Sequence, residues 1–314
     1  MLQIEKYTTQ HYQLWNDFLS HARNATFLFH RNYLDYHSQR FHDHSLIIYK
    51  NNTPIALLPA HIHNKQFCSH LGLTYGGYIY TNKMTATLML QMFEETIHYI
   101  QTNTDAETFI YLPIPYIYPD IPSQEDLYAL FRHNATLIAR KISTVIQQDK
   151  PLGLSELRKR KLKKAEKQNL TIISDNNYPA FWNILETNLK TKYNTTPVHS
   201  LSEITLLHQR FPNNIRLYCV TTNNETVAGC VLYITKNVTH VQYIASTPEG
   251  RALCAVDYLL NHLIYNEYAR KTRYFDLGTS VEDGGKVLNE GLIFQKEGFG
   301  GRAVTYDTYK LDLK

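Results

Sequence analysis

Cysteine is scarce in this sequence, which has four cysteines among 314 residues and no pair in a Cys-x-x-Cys arrangement. Cys68, Cys219, Cys230 and Cys254 therefore form neither a redox motif nor the dense framework of a small disulfide-stapled protein. We expect reduced thiols in a hydrophobic core. Reduced thiols in turn predict that the chain works in a reducing, cytoplasmic compartment.

A long apolar run is also missing. The longest candidate, residues 109–118, is interrupted by Pro113 and Pro115, and it is about half of the ~20 residues that a membrane helix needs. The first ten residues lack the basic-then-apolar order of a signal peptide. The sequence thus predicts neither a membrane span nor export.

Several common catalytic motifs are absent. No G-x-S-x-G, G-x-x-x-x-G-K-[ST] or H-E-x-x-H pattern occurs, which excludes serine hydrolases with a nucleophile elbow, P-loop nucleotidases and zincins. His42 with His44, and His61 with His63, each place two possible ligands on one side of a strand. Because the spacing typical of zinc sites is lacking, we predict no metal.

Positive charge is concentrated in one segment. The chain carries 32 Lys and Arg against 28 Asp and Glu, a net charge of +4. Residues 156–167 alone contribute seven basic and two acidic residues, or +5, which leaves −1 for the rest. The segment predicts a basic helix at about 155–168, and it is either a solvated face or a surface for tRNA or for anionic lipid head groups. No RNA-stacking motif accompanies it, so direct readout of a nucleic-acid sequence is not expected.

The order of predicted elements occurs twice. Two β-like runs flank a turn at residues 51–53, and a strand, a helix near 85–102 and a strand at 109–112 follow. A second hairpin turns at residues 223–225, 172 positions later, and the same elements follow it. We predict an α/β (α+β) protein with two tandem domains, 1–150 and 151–314, each a mixed, mostly antiparallel sheet flanked by helices.

Two stretches carry a resemblance to a known family. Residues 26–46 with Leu73-Thr74-Tyr75-Gly76-Gly77, and residues 274–307, resemble the FemAB-like, tandem-domain branch of the GNAT N-acyltransferase superfamily. This resemblance implies two GNAT-like domains, the first on the acceptor side and the second on the donor side. It also implies transfer of an acyl or aminoacyl group in the synthesis of bacterial envelope polysaccharide or peptidoglycan.

The expected donor loop is residues 247–252, Thr-Pro-Glu-Gly-Arg-Ala. Its Gly-x-Ala half resembles the loop of acetyl-CoA-dependent GNAT proteins, so Thr247, Gly250, Arg251 and Ala252 are predicted donor-binding residues. Thr247 and Glu249 depart from the family pattern, and a simple turn before a helix is the alternative. The resemblance implies no tightly bound cofactor, with acyl-CoA or aminoacyl-tRNA as co-substrate.

Two charged residues are catalytic candidates. Residues 295–300, Gln-Lys-Glu-Gly-Phe-Gly, resemble the Phe-Lys-x-x-Phe-Gly motif of peptidoglycan-bridge enzymes, with Gln295 in place of the first aromatic residue. The resemblance implies that Lys296 acts in transfer, where an ammonium stabilises the developing oxyanion. Asp276 lies in an apolar strand; it either accepts a proton as a general base or caps Gly278-Thr279-Ser280 structurally.

The predicted acceptor residues lie in the first half. Arg31 and Arg40 occur in the stretch that resembles the family's acceptor domain, and guanidinium groups bind phosphate in a bidentate manner. Tyr75, Gly76 and Gly77 follow a strand, where they either let a sugar or nucleotide ring approach the backbone or form an ordinary turn.

Together these features favour an N-acyltransferase that modifies an amine of a nucleotide- or lipid-linked amino sugar or another envelope precursor. Its expected partners are the donor and the acceptor, with tRNA possible, DNA excluded and membrane contact at most transient. The alternative is a non-catalytic scaffold of envelope synthesis, which the departures at Thr247 and Gln295 favour.

Overall fold

The computed structural model of the protein describes residues 2–313, apart from the side chains of Asp175 and Tyr193. These residues divide into two compact units. Unit 1 consists of residues 2–142, 281–287 and 305–313, and unit 2 consists of residues 143–280 and 288–304.

The first half of the chain begins and ends with strands. Its elements are β1 (Leu2–Lys6), α1 (Tyr12–His21), α2 (Arg31–Leu34), β2 (Leu46–Lys50), β3 (Thr53–Leu58), β4 (His61–His63), β5 (Gln66–Cys68), β6 (Ile79–Tyr80), α3 (Ala86–Asn103), β7 (Thr108–Tyr111), α4 (Glu125–Arg132) and β8 (Thr136–Gln147).

The second half opens with the predicted basic helix, α5 (Glu156–Ala165). The elements that follow are β9 (Thr171–Asp175), α6 (Tyr178–Tyr193), α7 (Leu201–Arg210), β10 (Ile215–Thr222), β11 (Glu225–Ile234), β12 (Val238–Ser246), α8 (Pro248–Ala252), α9 (Ala255–His262), a π-helical turn (Leu263–Glu267), β13 (Tyr274–Thr279), β14 (Val281–Glu282), β15 (Val287–Leu288), α10 (Glu290–Glu297) and β16 (Arg302–Asp312).

The predicted repeat is confirmed. In each half a strand and two helices precede a hairpin, and a helix, a strand, another helix and a last strand follow. Both hairpins turn on two asparagines with positive φ, Asn51 and Asn52 in one and Asn223 and Asn224 in the other. Asparagine tolerates this left-handed conformation, which a two-residue hairpin turn requires at both central positions.

Unit 1 contains two sheets. The first has the strand order β1-β2-β3-β6, and in the second β4, β5, β7, β16 and the start of β8 lie side by side. Helix α3 buries Met89, Met92, Phe93 and Ile100 in its core. Their spacing of three, four and seven residues places them on one face of the helix.

Unit 2 contains the end of β8 followed by β13, β12, β11, β10 and β9. Helix α9 packs Ala255, Leu259 and Leu260 into a core that also contains Cys230 and Phe275. All four cysteines of the chain are buried and unbridged, as predicted.

The compact units differ from the predicted division at residue 150. The last strand of each half is divided between the units: residues 143–147 of β8 lie in unit 2, and residues 305–312 of β16 lie in unit 1. A hydrophobic pattern identifies a strand but not its neighbour in the sheet, so this exchange was not predictable from periodicity. Within residues 2–313, no helix is both long enough and apolar enough to cross a membrane.

Candidate active site

Two parallel strands separate in the middle of unit 2. Residues 238–240 of β12 pair with residues 274–276 of β13, and the last pair is His240 with Asp276. Strand β12 continues to Ser246 and β13 continues to Thr279 beyond this ladder. We call the space between residues 241–246 and residues 277–279 the strand gap. Such a gap offers backbone groups of two strand edges to a bound group.

Lys296 lies at the strand gap. It projects from α10, whose first turn is capped by the Asn289 side chain, which accepts a hydrogen bond from the Leu292 amide. The Lys296 Nζ donates to the carbonyl oxygens of Gly278 and Thr279, each at 2.8 Å. An ammonium has three N–H groups, so one remains for a ligand.

Burial lowers the pKa of Lys296 to about 8, although the Asp276 carboxylate nearby acts in the opposite direction. The lysine is therefore mostly protonated at neutral pH. It combines a positive charge with a partly dehydrated position, and in such surroundings a charge acts strongly on a neighbouring dipole or oxyanion.

The Asp276 carboxylate is fully buried and accepts hydrogen bonds from three nearby residues. Its Oδ1 accepts from the Ser143 hydroxyl and, at 2.8 Å, from the Gly278 amide; its Oδ2 accepts from His240 Nδ1 at 2.9 Å. A buried carboxylate with these donors is stabilised in its charged form. Asp276 thus orients its neighbours, and its bond to the Gly278 amide is the local cap that the sequence suggested.

His240 completes this cluster, and sequence reasoning did not find it. Because a carboxylate can only accept, the bond to Asp276 fixes the proton on Nδ1 and leaves Nε2 to exchange a proton. A side-chain carbon added at Gly278 would lie 3.7 Å from His240 Cε1 and 3.9 Å from Lys296 Nζ. The imidazole and the ammonium therefore flank the same small volume beside Gly278.

A pocket of about 350 Å³ lies beside the strand gap in unit 2. It is lined by the end of β12 and by residues of α5, α6, α8, α9 and α10, including Leu292 and Gln295 one turn from Lys296. Lys161, Lys192 and Arg251 bring three positive charges to its wall. The pocket can therefore hold an anionic ligand whose reactive end reaches the gap.

The predicted donor loop forms the first turn of α8. Thr247 is its N-cap and accepts the Gly250 amide at 3.0 Å. A side chain at Gly250 would overlap the Val227 carbonyl oxygen, so close helix–strand packing requires this glycine. Arg251 lines the pocket and donates to the Ser246 carbonyl oxygen at 2.9 Å, whereas Ala252 is exposed.

The basic helix α5 has two faces of different character. Arg158 is buried and forms an ion pair with Asp257, and it packs against the Phe299 ring at 5.4 Å. It is therefore structural. The exposed cations on α5 and just after it are Lys159, Arg160, Lys163, Lys164 and Lys167, and Lys159 pairs with the exposed Glu156. The Gly-Phe part of the Lys296 motif anchors this helix, because the Gly298 carbonyl oxygen accepts the Ser155 amide at 2.8 Å.

The two predicted acceptor arginines differ in environment. Arg31 is 2% exposed, and its guanidinium donates to Asp35 and, at 2.6 Å, to Asp43 while stacking on Tyr7. Two carboxylates therefore already neutralise Arg31, which corrects its prediction as a phosphate ligand. Arg40 is exposed and its guanidinium lies 5.8 Å from the centre of the Tyr36 ring.

The predicted acceptor segment at residues 75–77 packs inside unit 1. Tyr75 is buried and its hydroxyl donates to Thr26 at 3.1 Å. A side chain at Gly76 would overlap the Ser69 carbonyl oxygen, and Gly77 has a φ of +79°. Gly76 thus allows close approach of the protein's own backbone, and a part of residues 75–77 in acceptor binding stays a prediction.

The structure thus brings the two predicted catalytic residues into one cluster and adds His240 to it. Of the predicted donor residues, Gly250 and Arg251 line the neighbouring pocket. Across residues 2–313, no group of three or more His, Cys, Asp or Glu side chains is placed to hold a metal ion.

A known domain family matches part of the chain. Residues 157–284 match the acetyltransferase (GNAT) domain family. Among curated proteins, none matches the sequence of this chain.

Similar solved structures extend the likeness beyond that domain. The crystal structure of FemX has a TM-score of 0.70 at 11% identity, with 99% of this chain and 97% of that chain covered. The C-terminal domain of a putative lysylphosphatidylglycerol synthetase from Agrobacterium fabrum has a TM-score of 0.55 at 10% identity, with 82% and 81% covered. A tandem GNAT protein from the clavulanic acid biosynthesis pathway has a TM-score of 0.51 at 10% identity, with 100% and 99% covered.

These likenesses confirm the predicted fold, a tandem GNAT architecture that resembles the FemAB-like branch.

Proposed function

We propose that this protein is a cytoplasmic N-acyltransferase that moves an acyl or aminoacyl group onto an amine of a nucleotide- or lipid-linked amino sugar or another cell-envelope precursor. The observation that carries the proposal is the Lys296 ammonium at the strand gap, with the His240–Asp276 pair beside the same glycine.

The reaction begins with the acceptor amine in its ammonium form. His240 Nε2 takes one proton from it, and the Asp276 carboxylate holds the imidazole and stabilises its positive charge. The free amine then attacks the carbonyl carbon of the donor, and a carbon–nitrogen bond forms while the carbonyl oxygen gains negative charge. The third N–H of Lys296 stabilises this oxyanion.

Collapse of the tetrahedral intermediate completes the transfer. The bond from the carbonyl carbon to the leaving group breaks, which releases a thiolate from a thioester or an alkoxide from an ester. The imidazolium of His240 returns a proton to the leaving group, and the remaining proton on the nitrogen is lost to water. The charge on Lys296 is needed most in the transition state, so its contribution should fall on kcat.

The donor carries phosphate. Lys161, Lys192 and Arg251 on the pocket wall suit either the diphosphate of acyl-CoA or the backbone of an aminoacyl-tRNA. The GNAT domain match supports acyl-CoA as the first donor to test. Against a standard CoA loop, the Gly250 amide already donates to Thr247, which removes one phosphate-binding N–H.

The acceptor class rests on the family resemblance and on the names of two similar structures. FemX covers nearly the whole chain, and the lysylphosphatidylglycerol synthetase is named for an aminoacyl lipid product. The exposed cations of α5 suit an anionic partner at the acceptor or donor stage, either tRNA or lipid head groups.

The test is transfer activity across a matrix of donors and acceptors. Donors are acetyl-, succinyl- and longer acyl-CoAs and charged tRNAs; acceptors are UDP-amino sugars, amino-sugar lipids and peptidoglycan precursors. With a productive pair, Lys296→Ala should lower kcat and kcat/KM together by roughly 10²–10³-fold, the loss typical of one oxyanion donor.

A rise in KM with unchanged kcat in Lys296→Ala would mean that Lys296 holds the acceptor and does not act in the transfer step. If no donor is turned over with any acceptor, and calorimetry detects no CoA binding at millimolar ligand, the non-catalytic scaffold is the better description.

A further inference from the structure

A second concave surface in unit 2 lies at the opposite end of β13 from the strand gap. It encloses about 720 Å³ between residues 147–149 at the end of β8, Lys236 and residues 269–274. We call it the basic cleft. Asp276 and Gly278 lie further along β13, so the cleft and Gly278 are about 13 Å apart at the ordinary rise of a strand.

Positive charge dominates the basic cleft. Its lining includes Lys236, Arg270, Lys271 and Arg273, with Asp149 as the one carboxylate among the described lining residues. Glu267 pairs with Lys271 at 2.5 Å. The four lining cations, Asp149 and Glu267 together carry a net charge of +2. A ligand with two negative charges would neutralise this surface.

One hydrogen-bond donor of the cleft also lacks an acceptor within the described residues. Gln148 lines the cleft, and its buried Nε2 has no hydrogen-bond partner. A buried donor without a partner is unfavourable unless a ligand or water supplies an acceptor. An oxyanion in the cleft would supply one.

The walls of the basic cleft are held by backbone structure. The Gln148 amide donates to the Arg273 carbonyl oxygen at 2.9 Å, and Gln147 is the register partner of Tyr274. The Thr272 hydroxyl lies 3.0 Å from that of Thr239. The cations therefore project from fixed positions, which lowers the entropic cost of binding an anion.

From this geometry we infer that the basic cleft binds a phosphate-bearing small molecule of nucleotide size, through its phosphate or diphosphate group. The volume lies within the range of small-molecule sites, and the net charge matches a phosphate monoester or a diphosphate. A long polyanion such as RNA would need a charged track that extends beyond one concave site.

Such a ligand is distinct from the proposed donor and acceptor, since the cleft residues are not those of the strand gap or of the pocket beside it. Binding should therefore persist in Lys296→Ala, in which transfer is impaired. This separates the inference from the proposed function, because either can fail without the other.

The experiment measures binding of inorganic diphosphate and of ADP by calorimetry at 150 mM salt. The test variant is Arg270→Gln/Arg273→Gln, and the matched control is Lys163→Gln/Lys164→Gln, which removes the same charge from exposed positions on α5. Each charge-assisted bond lost should weaken binding roughly tenfold, so the cleft variant should bind at least tenfold more weakly than the control.

Hydrogen exchange locates the ligand independently of the variants. Saturating ADP should slow exchange at residues 147–149 and 269–274, independently of any protection at the donor pocket, whose wall includes Lys161. The inference would be overturned if both double variants weakened binding equally, or if ADP protected α5 and not the cleft. It would also be overturned if the protein bound RNA but neither ADP nor diphosphate, or if it bound none of these probes.

Discussion

The ends of β7 in unit 1 and of β13 in unit 2 occupy corresponding positions in the two repeats, yet one is closed and the other is open. Each strand has a parallel neighbour for three residue pairs. The third pair is Cys68 with Ile110 in unit 1 and His240 with Asp276 in unit 2. An apolar pair thus stands where the other repeat carries a hydrogen-bonded, charged one.

Beyond that third pair, unit 1 closes its strand with its own backbone. The Ser69 amide donates to Ile110 at 2.9 Å, the Leu112 amide donates to the Ser69 hydroxyl at 2.8 Å, and the Gly76 amide donates to Leu112 at 3.0 Å. The hydroxyl of Tyr111 then accepts the Tyr78 amide and donates to buried Asp126. No strand edge is left there for a ligand.

Unit 2 keeps the corresponding edge available. Lys296 contacts the end of β13 through the carbonyl oxygens of Gly278 and Thr279. Both repeats thus contain a position at which two parallel strands can separate. A few side chains and the segment that follows the strand determine whether a binding site forms there.

The largest effect on transfer activity is expected from substitution in the pair of His240 and Asp276. Replacing His240 by alanine removes the proposed general base, so kcat should fall by roughly 10²–10⁴-fold. Cys68→Ala, the corresponding change in unit 1, should leave kcat unchanged. Steady-state kinetics with the productive substrate pair checks both variants.

The same experiment distinguishes the base from the residue that positions it. If His240→Ala retains the kcat of the wild type while Asp276→Asn loses it, Asp276 exchanges the proton and the assignment of His240 is wrong.

The next difference is expected in the free energy of unfolding when Gly76 in unit 1 or Gly278 in unit 2 is replaced by alanine. Gly76→Ala forces a methyl group into the Ser69 carbonyl oxygen and should lower the free energy of unfolding of unit 1 by roughly 3 kcal/mol. Gly278→Ala meets no atom closer than 3.5 Å, so its cost is the strain of a φ of +79°, roughly 1 kcal/mol.

Gly278→Ala should nevertheless reduce transfer activity, because its methyl group lies between His240 and Lys296. Each unit contains one of the two tryptophans, Trp15 in unit 1 and Trp182 in unit 2. Tryptophan fluorescence during urea unfolding therefore reports unit 1 in the Trp182→Phe background and unit 2 in the Trp15→Phe background. Equal destabilisation by both glycine substitutions would remove the contrast.

A smaller difference between the units is expected in their stability at low pH. Burial lowers the pKa of His44 and of His61 in unit 1 to about 4, from an ordinary 6.5. The unfolded chain then binds more protons than the folded one between these values, so stability is full above pH 6.5 and is lost as the pH falls toward 4. Each histidine contributes roughly 1–3 kcal/mol.

Asp126 has the opposite effect on stability, because burial raises its pKa to about 6. The folded state therefore binds a proton more readily than the unfolded chain, and this proton uptake stabilises the folded state as the pH falls below 6. The free energy of unfolding of unit 1, measured in the Trp182→Phe background, should still decrease between pH 6.5 and pH 4.5. His61→Gln should reduce the slope there, and an unchanged slope would contradict the assignment to His61.

The sequence was sufficient for part of this comparison. The two hairpins and their spacing revealed the repeat, because turn chemistry and strand periodicity are local signals. The motif around Lys296 indicated a lysine that the structure places at the end of β13, and the charge of Asp276 in an apolar strand indicated a partnered or functional carboxylate.

Other features depend on contacts between distant segments. His240 gains its role from register with Asp276, 36 residues later, and nothing in its local sequence marks that pairing. The closure of β7 by residues 69–77 likewise follows from packing. Local patterns do not encode such contacts.

The pH dependence of transfer tests the central claim most directly, namely that the Lys296 ammonium acts at the open strand gap. Burial lowers its pKa to about 8, so kcat/KM for the donor, measured with saturating acceptor, should fall as the pH rises through about 8. Lys296→Arg, whose guanidinium stays charged, should be slower but should lack this fall up to about pH 10. An identical fall in both proteins would contradict the claim.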